Sequence, residues 1–302
     1  MTLNEKMLSL ISIYYYVCKR YHKELKYCCE RFSNNNEPEF TDQEVMTIYL
    51  YTVHIEQRSK IKQIHQFADD YLRTWFPELP SYTAFVMRLN RLSEAFRFLA
   101  QHIVTNHAPS NCRFSVSLLD SMPIITCSGK RTSKVATEIT NKGYCSTKSL
   151  YYYGLKLHAL AFSRKSTLPH PESFVITPAS ENDLNVFKMD WSSISHRIFF
   201  GDKIYNDKDW FDTFKKQHGS IMLTPIKAVK GECQHIRQRD RAYNDLFSQA
   251  VSKVRQPIEA LFSWLIEKTD IQRASKVRST KGLLVHVFGK IAAAFIGLIF
   301  NP

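Results

Sequence analysis

The stretch RFSVSLLD, residues 113–120, marks the point at which the pattern of the chain changes. Its apolar residues Phe114, Val116 and Leu118 alternate with serines, and a period of two is that of a β-strand with one buried face. The strand is predicted to end at Asp120. The residues before it follow a helical pattern, whereas those after it alternate between strand and helix patterns. Two regions are therefore predicted, residues 1–110 and 111–302.

Further strands and helices follow this first strand in a definite order. Strands are predicted at residues 151–163, 172–178, 197–200 and 221–224. Helices are predicted at residues 183–187, 210–218, 243–267 and 281–300, the third of them bent or restarted at Pro257. Polar stretches at residues 121–150 and 227–241 are predicted to be exposed loops. Three strands followed by alternating helices and strands indicate an α/β fold, a ribonuclease-H-like mixed five-stranded sheet flanked by helices.

The first 110 residues are predicted to be all helical. Leu8, Ile11, Tyr15 and Cys18 recur at helical spacing, and TDQE, residues 41–44, is a capping box that precedes another apolar helix. Short helices with basic residues on their surfaces suit a helix-turn-helix reader of DNA. They suit a plain helical bundle with a solvated face equally well, so both interpretations of this N-terminal region stay open.

Three acidic residues stand where the predicted fold would bring them together. Asp120 ends the first strand and Asp202 ends the fourth. In a sheet of this kind those two strands are parallel neighbours, so both carboxylates would lie at the same edge. Glu259 lies on the late helix that is expected to pack against that edge. Asp207 and Asp209 are rivals to Asp202, but they fall past the strand end and are expected in a loop or at a helix start.

Clustered carboxylates suit the chemistry of phosphodiester bonds. Mg²⁺ and Mn²⁺ prefer oxygen ligands, and two such ions about 4 Å apart activate the attacking oxygen and stabilise the leaving one. Asp120, Asp202 and Glu259 are therefore candidate catalytic residues and candidate ligands of two Mg²⁺ or Mn²⁺ ions. Taken singly, each has an ordinary structural explanation, because a strand-terminal Asp often forms a turn and a helical Glu usually lies on the surface.

The charge of the chain and its cysteines indicate the kind of partner that it binds and the compartment in which it is found. The 302 residues include 41 basic and 28 acidic ones, a net charge of +13 that favours a polyanion such as nucleic acid, although solubility alone would also explain it. The seven cysteines form no C-x-x-C pair, which argues against a zinc ribbon or a disulfide framework. Residues 283–300 are apolar but interrupted by His286 and Lys290, so a core helix is expected rather than a membrane span. Residues 1–6 lack a signal-peptide layout, and we expect a soluble, intracellular protein.

A series of motifs resembles those of the DDE transposases encoded by small bacterial insertion sequences. The resemblance covers nearly the whole chain and is carried by LLDSMP (118–123), YGLKLH (153–158), ASEND (179–183), FGDKIY (200–205) and RQPIE (255–259), with LPSYT (79–83) and RLNR (88–91) upstream. The chain departs from many relatives at Ser252, where a Tyr is common, at Ile266, where a Lys is common, and at Ile204, where a Gly is common.

The resemblance implies an enzyme that nicks transposon ends in a metal-dependent reaction and transfers the strands into target DNA. The implied partner is double-stranded DNA, and because two ends must be brought together, a homo-oligomer is expected, a dimer on DNA. The implied location is the bacterial cytoplasm, in association with the nucleoid. Candidate DNA contacts are Arg255, Lys156, His158, Lys203 and Lys268. Of these, Arg255 shares a helix face with Glu259 and would either grip a phosphate or form a simple ion pair with Glu259.

Two other functions stay open at the level of the sequence. One is a DNA-binding protein derived from a transposase that no longer cuts, although the presence of all three carboxylates argues against it. The other is a related nuclease that cuts DNA without joining it. Strand-transfer products with the cognate ends would separate the nuclease from the transposase.

Overall fold

The computed structural model describes residues 2–29, 38–146, 148–227 and 233–300. The chain forms two compact units. The helical unit consists of residues 1–107, 133–139 and 265–302, and the sheet unit consists of residues 108–132 and 140–264. The division expected near residue 110 lies close to the first of these boundaries, but residues from 265 onward belong to the helical unit. That residues 1–110 act as a DNA-binding domain and residues 111–302 as a catalytic domain stays a prediction.

The N-terminal part of the helical unit contains α1 (Leu3–Lys23), a 3₁₀ turn (Leu25–Cys28), α2 (Asp42–His54), α3 (Ile61–Tyr71), α4 (Tyr82–Arg91) and α5 (Ser93–Asn106). The predicted capping box is confirmed at the start of α2. The Thr41 hydroxyl accepts a hydrogen bond from the Glu44 N–H, and the Glu44 carboxylate accepts one from the Thr41 N–H. These two bonds satisfy backbone donors that a helix leaves without partners at its first turn.

Helix α1 forms where the spacing predicts it, but it turns a different face to the core. Its buried apolar residues include Leu10, Ile13 and Val17. Leu8 and Tyr15, which belong to the pattern that predicted the helix, are 63% and 70% exposed. Both sets recur at helical spacing, so periodicity identified the helix without identifying its buried side.

The sheet unit is built on a six-stranded mixed sheet in the described part of the chain. Its strands are β1 (Cys112–Ser128), β2 (Asn141–Cys145), β3 (Leu150–Arg164), β4 (His170–Pro178), β5 (Ile198–Phe200) and β6 (Ile221–Leu223). Strand β3 pairs antiparallel with β1, β2 and β4, whereas β1, β5 and β6 pair in parallel. The order across the sheet is β2–β3–β1–β5–β6, with β4 beside β3.

The sixth strand corrects the expectation of five. Strands β2 and β4 pair with successive stretches of the same edge of β3, with Asn141 opposite Gly154 and Pro178 opposite Leu155. The sheet is therefore five strands wide, and one of its edge positions is shared by two strands. The mixed α/β architecture and the helical N-terminal region agree with the sequence-based expectation.

The exposed loop expected at residues 121–150 is wrong over much of its length. Strand β1 continues to Ser128, and Met122, Ile124 and Thr126 are buried at alternate positions along it. Pro123 obscures this alternation, because proline is unusual inside a sheet. It is tolerated because β5 pairs with β1 only as far as Leu118, so this part of β1 is paired on one side.

The sheet unit also contains α6 (Asp183–Val186), which continues as a π-helical turn (Phe187–Trp191), then α7 (Lys208–His218) and α8 (Gln234–Arg255). Helix α9 (Pro257–Thr269) begins in this unit. The restart expected at Pro257 is confirmed. The loop expected at residues 227–241 is wrong from residue 234 onward, and residues 228–232 lie outside the described part. No residue of α8 with a described side chain is buried before Val251, so its first half offers no apolar pattern to read.

One face of the sheet is held by an aromatic core. The buried residues of this cluster are Leu119, Leu160, Phe187, Trp191, Phe199, Tyr205 and Phe214. The Phe187 ring packs against Phe199 and Phe214 with centroid distances of 5.1 and 5.7 Å. These contacts fix β5 against the π-helical turn and α7, and so fix the segment that leads into Asp202.

The chain ends in α10 (Thr280–Leu284), a π-helical turn (Val285–Gly289), α11 (Lys290–Phe295) and a 3₁₀ turn (Ile296–Ile299). Among the described residues, only Thr280–Ile299 is long and apolar enough to span a membrane, and most of it is buried inside the helical unit. Its polar residues are accommodated there: His286 Nε2 lies 2.7 Å from the Ile271 carbonyl oxygen, and Lys290 donates to the Asp270 carbonyl at 3.1 Å. This packing is that of a core helix.

Candidate active site

The parallel pairing of β1 and β5 sets the positions of Asp120 and Asp202. Leu118 lies opposite Phe200, and each aspartate comes two residues later on its own strand path. Asp120 lies inside β1, opposite Ala159 of β3, so the expectation that it ends the strand is corrected. Asp202 follows β5 and caps a 3₁₀ turn (Lys203–Tyr205), accepting a hydrogen bond from the Lys203 N–H at 2.6 Å. Both backbones thus reach the carboxyl end of the parallel pair in matching register.

Arg255 joins two of the three candidate carboxylates. It is the last residue of α8, a helix that contacts β1 and β5. Its Nη1 donates to Asp120 Oδ2 at 2.9 Å, and its Nη2 donates to Glu259 Oε1. Glu259 stands in the first turn of α9, four residues further along the chain. The guanidinium therefore contacts both Asp120 and Glu259, although these residues are 139 positions apart.

Burial and neighbouring charges shift the pKa values of two residues in this cluster. Burial raises the pKa of Asp120 to about 6; Arg255 and the Ser121 N–H oppose the shift, while Glu259 and Asp183 add to it. Burial alone would lower the pKa of Arg255, but Asp120, Glu259 and Asp202 raise it and the net shift is upward. The site therefore stabilises a cation, since every neighbouring carboxylate favours one.

A fourth carboxylate, Asp183, lies in the same neighbourhood. Its Oδ1 lies 3.2 Å from Lys156 Nζ and 3.3 Å from His158 Nδ1. The sequence motif that ends at Asp183 signalled a helix entry but gave this residue no role. Its position, five residues after the end of β4 and at the first turn of α6, is the signal that could have identified it.

His158 and Lys156 are held within the sheet unit. His158 is completely buried, its Nε2 lies 2.8 Å from Thr177 Oγ1, and burial lowers its pKa to about 4, so it is neutral at pH 7. A buried side chain does not reach DNA, and the expectation of a DNA contact at His158 is corrected. Lys156 also donates to the Glu181 carbonyl at 2.7 Å, and its side chain is 16% exposed. It is therefore engaged with α6 and the loop before it rather than directed to solvent.

The other two candidate DNA contacts have different surroundings. Lys203 is exposed directly beside Asp202. Lys268 stands nine residues after Glu259 on α9 and is half-buried. At 100° per residue, this separation turns the two side chains about 180° apart around the helix axis, and it places them about 13 Å apart along it. Lys268 therefore does not share the helix face of Glu259.

Tyr205 is a buried residue that the sequence did not single out. Its side chain is 1% exposed, and its hydroxyl has no hydrogen-bond partner among the described residues. Its pKa is raised well above the usual value, first by burial and then by Asp183, Asp120 and Asp202. Tyr205 belongs to the aromatic core and lies within electrostatic reach of these three aspartates.

The donor set fits hard divalent cations in its chemistry. Asp120, Asp202 and Glu259 supply carboxylate oxygens, the ligand type that Mg²⁺ and Mn²⁺ prefer. The guanidinium of Arg255 shows that a positive charge is accommodated between two of them. With the side chains in these positions, no group of three His, Cys, Asp or Glu residues in the described part of the chain stands ready to hold a metal. In this arrangement Arg255 itself contacts Asp120 and Glu259.

Comparison with known proteins gives one match. The family model described as the transposase DDE domain matches residues 112–296. The match begins at the first residue of β1, includes Asp120, Asp202, Arg255 and Glu259, and spans more than half of the chain. No curated protein and no solved structure matches the chain.

Proposed function

Because this chain belongs to the transposase DDE domain family, we propose that it cuts DNA at the ends of a bacterial insertion sequence and joins those ends to target DNA. The proposal includes a ribonuclease-H-like catalytic core. The observation that supports it best is the cluster in which Arg255 bridges Asp120 and Glu259 beside the segment that carries Asp202. These side chains come from β1, from the turn after β5, from the end of α8 and from the first turn of α9.

Asp120, Asp202 and Glu259 are the residues that would hold two Mg²⁺ or Mn²⁺ ions. When bound, the ions would supply charge stabilisation at the attacking and leaving oxygens of the phosphodiester. The role of the chain is to present ionised carboxylates at fixed positions. Since the pKa of Asp120 is about 6, its carboxylate is mostly ionised at neutral pH.

Arg255 has two tasks in this proposal. In the DNA-free protein it contacts Asp120 and Glu259, interacts electrostatically with Asp202, and so offsets part of the repulsion among the three carboxylates. When DNA and metal enter, the carboxylates take the metal and the guanidinium is free to contact a phosphate, for which its planar pair of N–H donors is suited. Lys203, exposed beside Asp202, is a second candidate for a phosphate contact.

The partner in this proposal is double-stranded DNA, at the element ends and at the target. The net charge of +13 supports a polyanionic partner. A homodimer on DNA follows from the need to hold two ends at once, and the expected location is the bacterial cytoplasm near the nucleoid. The helical unit, whose helix α4 carries Arg88 and Arg91 and no acidic residue, is the candidate for end recognition.

The test is cleavage of DNA that carries the repeats flanking the gene, with Mg²⁺ or Mn²⁺ present. Asp120→Asn, Asp202→Asn and Glu259→Gln should each reduce cleavage by about a thousandfold or more, because each removes a charged ligand from a site that acts as a unit. DNA binding by the three variants should stay close to wild type.

Matched controls come from α7, the helix that follows Asp202, and from α9, the helix of Glu259. Asp209→Asn changes an exposed aspartate in the first turn of α7, and Glu267→Gln changes an exposed glutamate on α9. Both should cleave normally. Full activity in any variant of the three site carboxylates would refute their assignment. Cleavage without joined products would favour the nuclease, and metal-independent DNA binding without cleavage would favour an inactive derivative.

A further inference from the structure

An exposed pair of tyrosines stands at the end of the β2–β3 ribbon. Tyr144 and Tyr151 lie directly opposite each other across the two strands and are 53% and 59% exposed. Their ring centroids are 4.9 Å apart, with an angle of 53° between the ring planes. Two large aromatic side chains exposed together need a reason, because single exposed apolar residues are common but paired aromatic faces usually mark a contact surface.

The backbone holds this pair firmly in place. Tyr151 is flanked on one side by β2 and on the other by the turn that ends β1, where the Gly129 N–H donates to the Tyr151 carbonyl at 2.9 Å. A Cβ on Gly129 would lie 2.5 Å from the Tyr151 Cβ, so only glycine permits this close approach. The rings are therefore presented from a three-stranded edge rather than from a free loop.

The end of this ribbon is rich in basic residues. Its described stretches, residues 128–132, 141–146 and 148–154, contain Lys130, Arg131, Lys142 and Lys148 and no acidic residue. Lys142 Nζ lies 5.1 Å from the centroid of the Tyr151 ring. Lys130 and Arg131 are exposed immediately after Gly129. A surface that combines aromatic faces with basic residues matches the chemistry of a nucleic acid strand, with bases on the rings and phosphates on the cations.

We propose that Tyr144 and Tyr151 form a stacking platform for an unpaired base of DNA, and that Lys130, Arg131 and Lys142 hold the phosphates beside it. This deepens the proposed function and rests on it, because it assigns a second DNA contact to the same unit. Eight residues of β1 separate Asp120 from Ser128, which corresponds to about 26 Å, or about eight base pairs of B-DNA. The platform would therefore engage a strand that has separated from its complement at that distance from the site of cleavage.

The test is binding of the full chain to a fluorescent oligo-dT strand and to a duplex, both in EDTA so that no cleavage occurs. Tyr144→Ala and Tyr151→Ala should each weaken binding of the single strand by about tenfold, the usual contribution of one stacked base, and weaken duplex binding much less. Tyr144→Phe and Tyr151→Phe should bind like wild type, since they retain the ring. Lys142→Gln should lower the slope of log affinity against log salt by about one unit.

Leu150→Ala is the matched control, because Leu150 is exposed on the same ribbon but has no aromatic face. It should leave both affinities unchanged. Wild-type affinity of both tyrosine-to-alanine variants for the single strand, with unchanged melting temperature, would overturn the proposal. The proposal would also be overturned if these variants sedimented as monomers where wild type sediments as a dimer, without loss of affinity for the single strand. That result would show that the tyrosine pair is a contact between two copies of the chain. Because these measurements contain no metal and no cleavage step, they are independent of the outcome for Asp120, Asp202 and Glu259.

Discussion

The cationic side chain at the centre of the acidic cluster is the most informative residue of the site. Arg255 contacts Asp120 and Glu259 through different nitrogens, and it is the residue through which β1 and α9 are linked electrostatically. Removal of one partner from such a cluster leaves the other charges poorly compensated. We therefore expect metal binding and Arg255 to compete for the same two carboxylates.

The raised pKa of Asp120 makes stability depend on pH in a definite direction. Between the ordinary value of 3.8 and the value of about 6, the folded chain holds a proton at Asp120 that the unfolded chain has lost. Stability must therefore fall as the pH rises through this window. Asp120→Asn removes the titration, so relative to this variant the wild type should lose on the order of 2 kcal/mol between pH 4 and pH 6.

This prediction is checked by urea unfolding in EDTA at several pH values. Asp209→Asn serves as the control, because Asp209 is exposed. Its pH dependence should parallel that of wild type. A wild-type curve parallel to that of Asp120→Asn would show that burial does not raise the pKa of Asp120 as described.

At the residue scale, the sequence pattern selected three candidate acids and one of the contacts among them. Asp120 and Asp202 were selected as residues that end apolar strands, although Asp120 lies inside β1, and Arg255 was selected because it precedes Glu259 by one helical turn. The contact between Arg255 and Asp120 joins residues far apart in sequence, and local spacing carries no information about it. His158 illustrates the same limit, since alternation along β3 does not reveal that both faces of the strand are covered at that point.

At the scale of elements, the long antiparallel pair of β1 and β3 supports both the candidate active site and the tyrosine pair. The pair runs from Cys112 opposite Arg164 to Ser128 opposite Tyr152, with an irregularity between Ile125 and Cys127. Gly154 lies at that irregularity, opposite Ile125. A Cβ at Gly154 would lie 1.9 Å from the Ile124 carbonyl oxygen. The backbones of β1 and β3 therefore approach so closely here that only glycine fits at position 154.

Gly154→Ala should therefore destabilise the chain by about 1–3 kcal/mol or more, because a backbone atom rather than a flexible side chain must move. Urea unfolding measures the loss. Ser163→Ala, further along the same strand, adds no atom and should stay near wild type. Equal stability of Gly154→Ala and wild type would mean that the irregular end of the ribbon is not packed as described.

The types of the elements were more predictable than their lengths. The five strands expected from alternation are all present, and α9 begins at Pro257 as expected. The extension of β1 past Pro123 and the short strand β2 were missed. Proline, glycine and lysine are uncommon in strands, and both segments become strands by pairing with β3. The first half of α8 was missed for the opposite reason: a helix without buried residues has no apolar periodicity.

At the scale of the whole molecule, the net charge can be predicted from the sequence, but the complete division of the chain into two units cannot. The net charge of +13 can be read directly from the sequence and supports a nucleic acid partner. That residues 265–302 belong to the same unit as the N-terminal helices could not be predicted, because the apolar pattern of a helix does not indicate which unit it packs in. Because of that grouping, Lys268 belongs to the same unit as His54 of α2. Burial lowers the pKa of His54, and the positive charge of Lys268 lowers it further.

The central claim is that Asp120, Asp202 and Glu259 together hold divalent metal in a transposase. The most direct measurement is titration of Mn²⁺ into the full chain bound to end DNA, with free Mn²⁺ followed by electron paramagnetic resonance. We predict that wild type and Glu267→Gln bind two ions and that Asp120→Asn, Asp202→Asn and Glu259→Gln each lose at least one. Equal Mn²⁺ binding by wild type and all three variants would contradict the assignment.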